Sequence, residues 1–490
     1  MVNMKILSDI LPKDTDFETI GSVNVAVADI TFDSRAVAAN SMFTAVKGTQ
    51  VDGHSYIEVA IEKGASVVVC EQIPEKINPN VTYVKVNDSA VAMGKLAASF
   101  FDYPTRKLKL IGVTGTNGKT TTVTLLARLV NSLGGKAGLI STVQNQIGDT
   151  IVPSTHTTPD AIELNKLLSQ MVAKECTHCF MEVSSHAVVQ NRIAGAEFTG
   201  AVFTNITHDH LDYHLTFSQY IKAKKAFFDN LQASAFALIN VDDRNGRVMV
   251  QNTSAKVQTY SLRGMANYRC KIIEQQPQGM MLNIDNIEVW TRLIGNFNAY
   301  NLLAVYATAQ QLGFDQQETL TALSSMGPVN GRFENLIAPN GVIAVVDYAH
   351  TPDALENVIS TINKIRSDGN RLITVVGAGG NRDKTKRPIM AQVAIQGSDL
   401  VVLTADNPRN EDPAEIIADM KKGVEPANVG KVLTIIDRRE AIRTACLLAS
   451  PNDVVLVAGK GHETYQEVKG VKHHFDDKEE ISEIFKTLQA

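Results

Sequence analysis

The sequence predicts an α/β protein of three domains, and three observations carry that expectation. At 490 residues, the chain is long enough for about three cores of ordinary domain size. Between Leu108 and Leu133 an apolar run leads into a glycine-rich turn and then into apolar residues at helical spacing. From Val342 onward, short apolar runs alternate with helical stretches, the pattern of parallel sheets covered by helices on both faces. The expected division is a small N-terminal α/β domain over residues 1–103, a central P-loop-type doubly wound sheet over 104–332, and a C-terminal Rossmann-like sheet over 333–490.

Composition narrows the class further. The 47 basic and 52 acidic residues leave a net charge of −5, so nothing favours nucleic acid or an anionic membrane as partner. The opening MVNMKILSDILPKD lacks the apolar core of a secretory signal, and no later stretch approaches the ~20 apolar residues of a membrane span. The five cysteines, at 70, 176, 179, 270 and 446, are expected to be reduced. Cys176 and Cys179 have redox-motif spacing but enter a strand-like run and have no second pair for a zinc site. A cytoplasmic, monomeric enzyme is expected.

In the N-terminal region the strand-like runs 43–46 and 66–69 flank a helical stretch, 56–63. The turns Asp33-Ser34-Arg35 and Gly48 to Gly53 adjoin such runs, where ligand loops commonly sit. In the middle region the strand-like runs 110–113, 137–142, 177–183 and 198–206 alternate with helices over 159–172 and 217–231. In the last region the runs 342–346, 372–376, 400–404, 432–436 and 454–457 alternate with helices over 353–365, 388–396, 413–421, 439–448 and 478–488. Ligands of such sheets gather at the carboxyl ends of the strands. The unusual polar residues fall at those ends: Glu182 to His186, His208 to His214, Asp347 to His350, Gly377 to Lys386, Asp406 to Arg409 and Gly459 to Glu463.

Gly115-Thr116-Asn117-Gly118-Lys119-Thr120-Thr121 is the most informative turn. Backbone N–H groups of a glycine-rich turn and of a helix's first turn converge on one hollow and hold a phosphate chain. Lys119 reaches the outer phosphates and the Thr120 hydroxyl suits the magnesium that accompanies ATP. Val113 stands where the usual pattern has glycine. Three chemistries could use these residues. His208-Asp209-His210-Leu211-Asp212 suggests a zinc hydrolase, but the histidine that should follow the aspartate is displaced to His214. A nucleotide switch needs a guanine-reading Asn-Lys-x-Asp, and Asn363-Lys364-Ile365-Arg366 ends in the wrong charge. ATP-dependent joining of a carboxylate to an amine needs a phosphate loop, cationic donors and a second domain for the amine, and it uses the whole chain.

The ordered motifs carry a specific resemblance. The loop Gly115 to Thr121, with Glu182-Val183-Ser184-Ser185, Asp209-His210-Leu211-Asp212, Gly295 to Asn301, Gly331-Arg332-Phe333-Glu334 and Asp347-Tyr348-Ala349-His350-Thr351-Pro352, resembles the Mur ligases, the synthetases of the peptidoglycan stem peptide. The resemblance covers essentially the whole chain and explains Val113. It implies ATP held by Gly115, Thr116, Asn117, Gly118, Lys119, Thr120, Thr121, Asn298, Asn301, Arg332 and Asp347, and Mg2+ held by Thr120, Glu182, His210 and an N-carbamylated Lys224. Lys119, Glu182, His210, Lys224 and His350 would be the catalytic set. Phe32, Ser34, Thr49, Gln50 and Val51 would hold a UDP group. His156, Thr157, Thr158, Ser184, Gln190 and Arg192 would hold a sugar–peptide, with His156 replacing the asparagine the family often has.

Asp406-Asn407-Pro408-Arg409, with Arg382, Gly459 and Glu463, resembles the site for meso-diaminopimelate. Two arginines can grip carboxylates bidentately and Glu463 can pair with an ammonium. The resemblance therefore implies addition of meso-diaminopimelate to the D-glutamate of UDP-N-acetylmuramoyl-L-alanyl-D-glutamate. Lysine is the alternative amine, expected to leave a buried arginine unpaired.

Overall fold

The computed structural model describes the chain except for residues 1–3, 13–16, 49–50, 155, 208, 210, 277 and 489–490, and except for the side chains of residues 211 and 212. Three main sheets organise it. An N-terminal five-stranded sheet has the order Glu18–Ile20, Thr82–Lys85, Ala65–Cys70, Ser41–Thr44, Asp29–Thr31, parallel except at its first pair. The strand Ala65–Cys70 is buried on both faces. Val67 and Val69 enter one apolar cluster, Val68 and Cys70 the other, as the two-residue side-chain period requires.

The central sheet has eleven strands. Ala137–Ile140, His178–Glu182, Lys109–Thr114, Gly200–Phe203, Phe236–Asn240, Lys256–Ser261 and Tyr268–Gln276 run parallel in that spatial order. Leu110 and Met181 point into one core, and Ile111, Val113 and Phe180 into the other. Each such buried side chain contributes ~1.5–3 kcal/mol. The expectation of a parallel sheet meets two differences at its edges. Asn145–Ile147 and Thr150–Val152 form an antiparallel hairpin on one side. Tyr268–Gln276, Gly279–Ile284 and Ile287–Thr291 form a meander on the other. Asp285 and Asn286, at φ 45° and 71°, make its last two-residue turn, where acidic and amide side chains best tolerate left-handed backbone. Only two residues separate Gln276 from Gly279 and Ile284 from Ile287, too few for a crossover, so beyond Tyr268 the chain returns by hairpins.

The C-terminal sheet has the order Glu334–Ile337, Ile343–Asp347, Val454–Ala458, Leu372–Ala378, Leu400–Ala405, Val432–Thr434, parallel after its first pair. Leu372 and Val376 face one core, Ile373 and Val375 the other. The helices Pro352–Ile365, Lys386–Gly397, Pro413–Lys421, Arg438–Leu448 and Asp477–Thr487 follow the expected positions. A short hairpin, Tyr465–Val468 with Val471–His474, adds to them. All five cysteines are free and buried.

Candidate active site

The carboxyl ends of the central and C-terminal strands face one cleft of about 960 Å³. Lys109–Thr114 pairs in register with both His178–Glu182 and Gly200–Phe203, so Thr114, Glu182 and Phe203 end nearly level. The loop after Thr114 is fixed from the neighbouring strand. Thr116 N–H donates to the Asn205 carbonyl at 2.8 Å and Asn117 N–H to Asn205 Oδ1 at 2.9 Å. Gly118 takes φ 87°, and a Cβ there would meet Asn301 Oδ1 at 2.5 Å, so only glycine lets the loop pass. The helix Lys119–Ser132 begins directly behind it.

Lys119 donates to the Gly115 and Thr116 carbonyls at 2.9 and 2.8 Å. Burial lowers its pKa, while Glu182 and Asp209 oppose that shift. Glu182 is 1% exposed, and its Oε1 accepts from the Thr120 hydroxyl at 2.9 Å and from Thr142 N–H at 2.8 Å. Arg332 donates to the Thr120 hydroxyl at 3.0 Å from across the cleft, and its Nε is buried with no hydrogen-bond partner among the described residues. Lys224, 1% exposed, donates to the Gly115 carbonyl at 2.8 Å. Burial first, and Lys119 second, hold its pKa well below the usual lysine range, which favours the neutral amine.

These groups fit the ligands expected of them. A glycine-rich turn, a helix N-terminus, Lys119 and the donor left on Arg332 suit a phosphate chain. The paired hydroxyl and carboxylate of Thr120 and Glu182 are hard oxygen donors suited to Mg2+.

From the C-terminal sheet, Asp347 accepts from Phe333 N–H at 2.7 Å and burial pushes its pKa up to about 6. His350 Nδ1 lies 2.9 Å from the Tyr348 carbonyl, which can only accept, so Nδ1 carries the proton. Burial, with Lys386 beside it, lowers the His350 pKa to about 4. The ring is therefore neutral near pH 7 and presents Nε2 as an acceptor, so it offers no positive charge to a phosphate. Asn117 Nδ2 donates to Asp353 Oδ2 at 2.7 Å, tying the phosphate loop to the first turn of the helix Pro352–Ile365.

The amino-acid candidates meet on the same sheet's rim. Asn407 donates to Glu463 Oε2 at 2.7 Å, and Asp406 lies against Gly459. Arg409 sits at φ 51° and donates to the Gly380 carbonyl at 2.7 Å. Two expectations change here. Arg409 is only partly buried and already has Glu467 at 3.5 Å, and Glu463 already has the ammonium of Lys460 at 3.2 Å. An amino acid lacking a distal carboxylate would not leave Arg409 wholly unpaired.

Most of the expected site lines this cleft: Thr116 to Thr121, His156, Thr157, Thr158, Glu182, Ser184, Arg192, Lys224, Asn301, Arg332, Asp347, His350, Arg382, Asp406, Asn407, Arg409, Gly459 and Glu463. Gly115 supplies its carbonyl from just behind the wall. Gln190 is also behind it, accepting twice from Arg192 at 2.7 and 3.0 Å and so aiming that guanidinium. Asn298 faces away, donating to the Ile294 carbonyl and accepting from Asn301. Pro408 packs its carbonyl against Gly380. Phe32, Ser34 and Val51 lie apart from the cleft on the N-terminal unit, Phe32 and Val51 exposed. Thr49, Gln50 and His210 lie outside the described residues. Sequence reasoning assigned no part to Asn205, Asp353 or Lys460. All three follow strand ends and were findable by position, but the part Lys460 plays is explained only by its three-dimensional partners.

Three family models match the chain: the Mur ligase family catalytic domain over residues 26–101, the Mur ligase middle domain over 113–309, and the Mur ligase glutamate ligase domain over 331–461. This chain belongs to the Mur ligase family. Among Mur ligases it is 58% identical over 483 residues to the UDP-N-acetylmuramoyl-L-alanyl-D-glutamate–2,6-diaminopimelate ligase of Cytophaga hutchinsonii, covering 98% of this chain and 99% of that one. The protein of that name from Bacteroides thetaiotaomicron is 53% identical over 480 residues, covering 98% and 100%. A solved structure of a ligase of the same name superimposes with a TM-score of 0.71 at 33% identity, covering 99% of this chain and 100% of that one. The MurF ligase of Thermotoga maritima shares the fold alone, with a TM-score of 0.64 at 19% identity over 94% of this chain and 97% of that one.

Proposed function

We propose that this Mur ligase joins an amine of meso-diaminopimelate to the D-glutamate γ-carboxylate of UDP-N-acetylmuramoyl-L-alanyl-D-glutamate, at the expense of ATP. One observation carries the reading: a phosphate cradle on one sheet and a carboxylate–arginine amino-acid pocket on another face a common cleft. The names of the relatives supply the substrates.

A carboxylate is a poor electrophile, so its oxygen first attacks the γ-phosphorus of ATP, the bond to the bridging oxygen breaks, and ADP leaves an acyl phosphate. The amine nitrogen then attacks the acyl carbon, loses a proton, and phosphate departs with the bonding pair. Lys119 and Arg332 stabilise the charge on the transferred group. Thr120 and Glu182, with His210 and a carbamylated Lys224 implied by resemblance, would hold Mg2+, which when bound neutralises phosphate charge. Neutral His350 can accept a hydrogen bond from the amine. The Asn117–Asp353 bond favours closure of the C-terminal unit over the loop, which excludes water from the acyl phosphate. Thr157, Thr158, Ser184 and Arg192 would receive the sugar–peptide, with the UDP end toward Phe32, Ser34 and Val51. The three units are assigned UDP, ATP and amino acid in chain order. No helix among the described residues is long and apolar enough to cross a membrane. ATP and a UDP-linked substrate favour action in the cytoplasm, and one chain supplies every assigned group, which favours a monomer.

The test is phosphate release from ATP with the UDP-linked dipeptide and a panel of amino acids. Diaminopimelate is expected to stimulate release and lysine to do so weakly; stimulation by a different amino acid and not by diaminopimelate would overturn the reading. Because Arg409 keeps Glu467, its share of the discrimination is that of a charged hydrogen bond, about 1.5–3 kcal/mol. Arg409→Ala should therefore lower the preference for diaminopimelate over lysine by roughly 10- to 150-fold. An unchanged ratio would remove Arg409 from specificity.

A further inference from the structure

The segment Gly459-Lys460-Gly461-His462-Glu463 contains a lysine that the chemistry above does not use. Lys460 is 0% exposed, and a buried ammonium is tolerated only where its partners offset the loss of water. Its Nζ donates to Asn407 Oδ1 and to Glu463 Oε2, both at 3.2 Å, and lies 5.5 Å from the Tyr465 ring centre. The same Asn407 Oδ1 accepts from Glu467 N–H at 2.9 Å, which fixes the amide so that Nδ2 faces Glu463 Oε2 at 2.7 Å. Both donors to Glu463 reach Oε2. Among the described residues no hydrogen bond is made to Oε1, the oxygen left for a ligand.

A second carboxylate stands close by. A Cβ at Gly459 would lie 2.5 Å from Asp406 Oδ2, and Asp406 Oδ1 accepts from Asn407 N–H at 2.6 Å. Asp406, Asn407, Gly459 and Glu463 line the cleft, whereas Lys460 is behind them. Two carboxylates and one ammonium leave a single net negative charge, complementary to one substrate ammonium, while Arg382 and Arg409 beside it suit a carboxylate. We propose that Lys460 is a positioning residue for amino-acid recognition, which holds the Glu463 carboxylate in place and keeps this pocket matched to one ammonium. The inference rests on the amino-acid role assigned to the pocket above.

The charged and titratable groups facing Glu463 support it. Burial and Asp406 push the Glu463 carboxyl up, while Lys460 and the Asn407 amide pull it down. Tyr348 from the loop after Ile343–Asp347, Tyr465 from the short hairpin and Arg438 from the start of Arg438–Leu448 also sense its charge. Without Lys460, two carboxylates share a buried pocket and one takes up a proton.

The experiment compares Lys460→Met and Lys460→Met/Glu463→Gln with wild type between about pH 6 and pH 8.5, a range wide enough to span a raised carboxyl pKa. In Lys460→Met the diaminopimelate KM is expected to rise about tenfold or more at the acid end, the loss of one charged hydrogen bond to the substrate ammonium. It should recover as pH rises and Glu463 ionises. The KM values for ATP and the UDP-linked dipeptide should stay near wild type.

Stability should move the opposite way. A carboxyl whose folded pKa is raised binds its proton more tightly in the native state, so the native state loses stability as pH rises. Lys460→Met should therefore fall further below wild type in thermal unfolding at the alkaline end. The double variant should unfold with no such pH dependence. The unfolding measurement needs no substrate, so it holds even if the panel assay overturns the functional reading. A single variant whose unfolding tracks wild type at every pH would overturn the proposal. So would an equal rise in all three KM values, the mark of a merely structural lysine.

Discussion

Lys224→Ala is expected to lower kcat by about 10²- to 10³-fold, the usual loss when a preorganised charge is removed from a water-poor site. The structure gives the reason in electrostatic terms. A bare ammonium at this position would stand beside Lys119 in a site that excludes water, and burial and Lys119 both disfavour it. The neutral amine that results is the form that attacks carbon dioxide. Its product, a carbamate, would place an anionic oxygen beside the phosphate loop and convert a repulsive neighbour of Lys119 into an attractive one. Carbamate formation releases a proton, so higher pH and added bicarbonate should favour it, and wild-type enzyme freed of carbon dioxide should regain activity when bicarbonate is restored. In Lys224→Ala, formate or acetate should enter the vacated space and restore part of the loss. Full activity in the variant would refute the carbamate, and a loss that no small carboxylate relieves would assign Lys224 a structural role instead.

How far such a site is legible in sequence depends on whether its groups act locally. The strand–turn–helix around Gly115 to Lys119 could be read directly, because a glycine-rich turn before a helix has one dominant geometry. The carboxyl ends of strands can be found from periodicity alone, which places Glu182, Asp347, Asp406 and Gly459 on one rim of their sheets. What could not be read depends on how side chains are aimed, whether their partners are near in sequence or far. The tautomer of His350 is set by a carbonyl and the charge of Glu463 by a lysine and an aspartate, neither of which a motif reveals. The motif predicts a buried arginine that lysine leaves unpaired, whereas Arg409 is partly exposed and Glu467, nearly sixty residues later, lies 3.5 Å from it. The meander at the sheet edge escaped because helix and strand periods are weakly distinguished in short, half-exposed runs such as Ile287–Thr291.

Arg438→Met is expected to destabilise the C-terminal unit by about 3–5 kcal/mol, the loss typical of breaking a buried ion pair from one side. Arg438 and Asp477 are both 0% exposed. The guanidinium donates from Nε to Asp477 Oδ1 at 2.8 Å and from one terminal nitrogen to Oδ2 at 2.7 Å. Methionine fills similar space but leaves the carboxylate of Asp477 buried without its cation. Replacing both, as Arg438→Met/Asp477→Leu, removes the orphaned charge and should recover most of the stability. The only tryptophan, Trp290, lies in the central sheet, so amide hydrogen exchange along Val454–Ala458 is the better measure. A loss in the single variant below about 1 kcal/mol would mean that water reaches the pair, as it does at surface salt bridges. The double variant also separates stability from function. The same arginine nitrogen donates to the Ala458 carbonyl at 3.1 Å, the last residue before Gly459 and the pocket that holds Glu463. A pair of apolar side chains cannot replace that donor. The double variant should therefore be stable yet keep a raised KM for diaminopimelate, with the KM for ATP unchanged. Arg438 would then be shown to anchor the amino-acid loop as well as the fold.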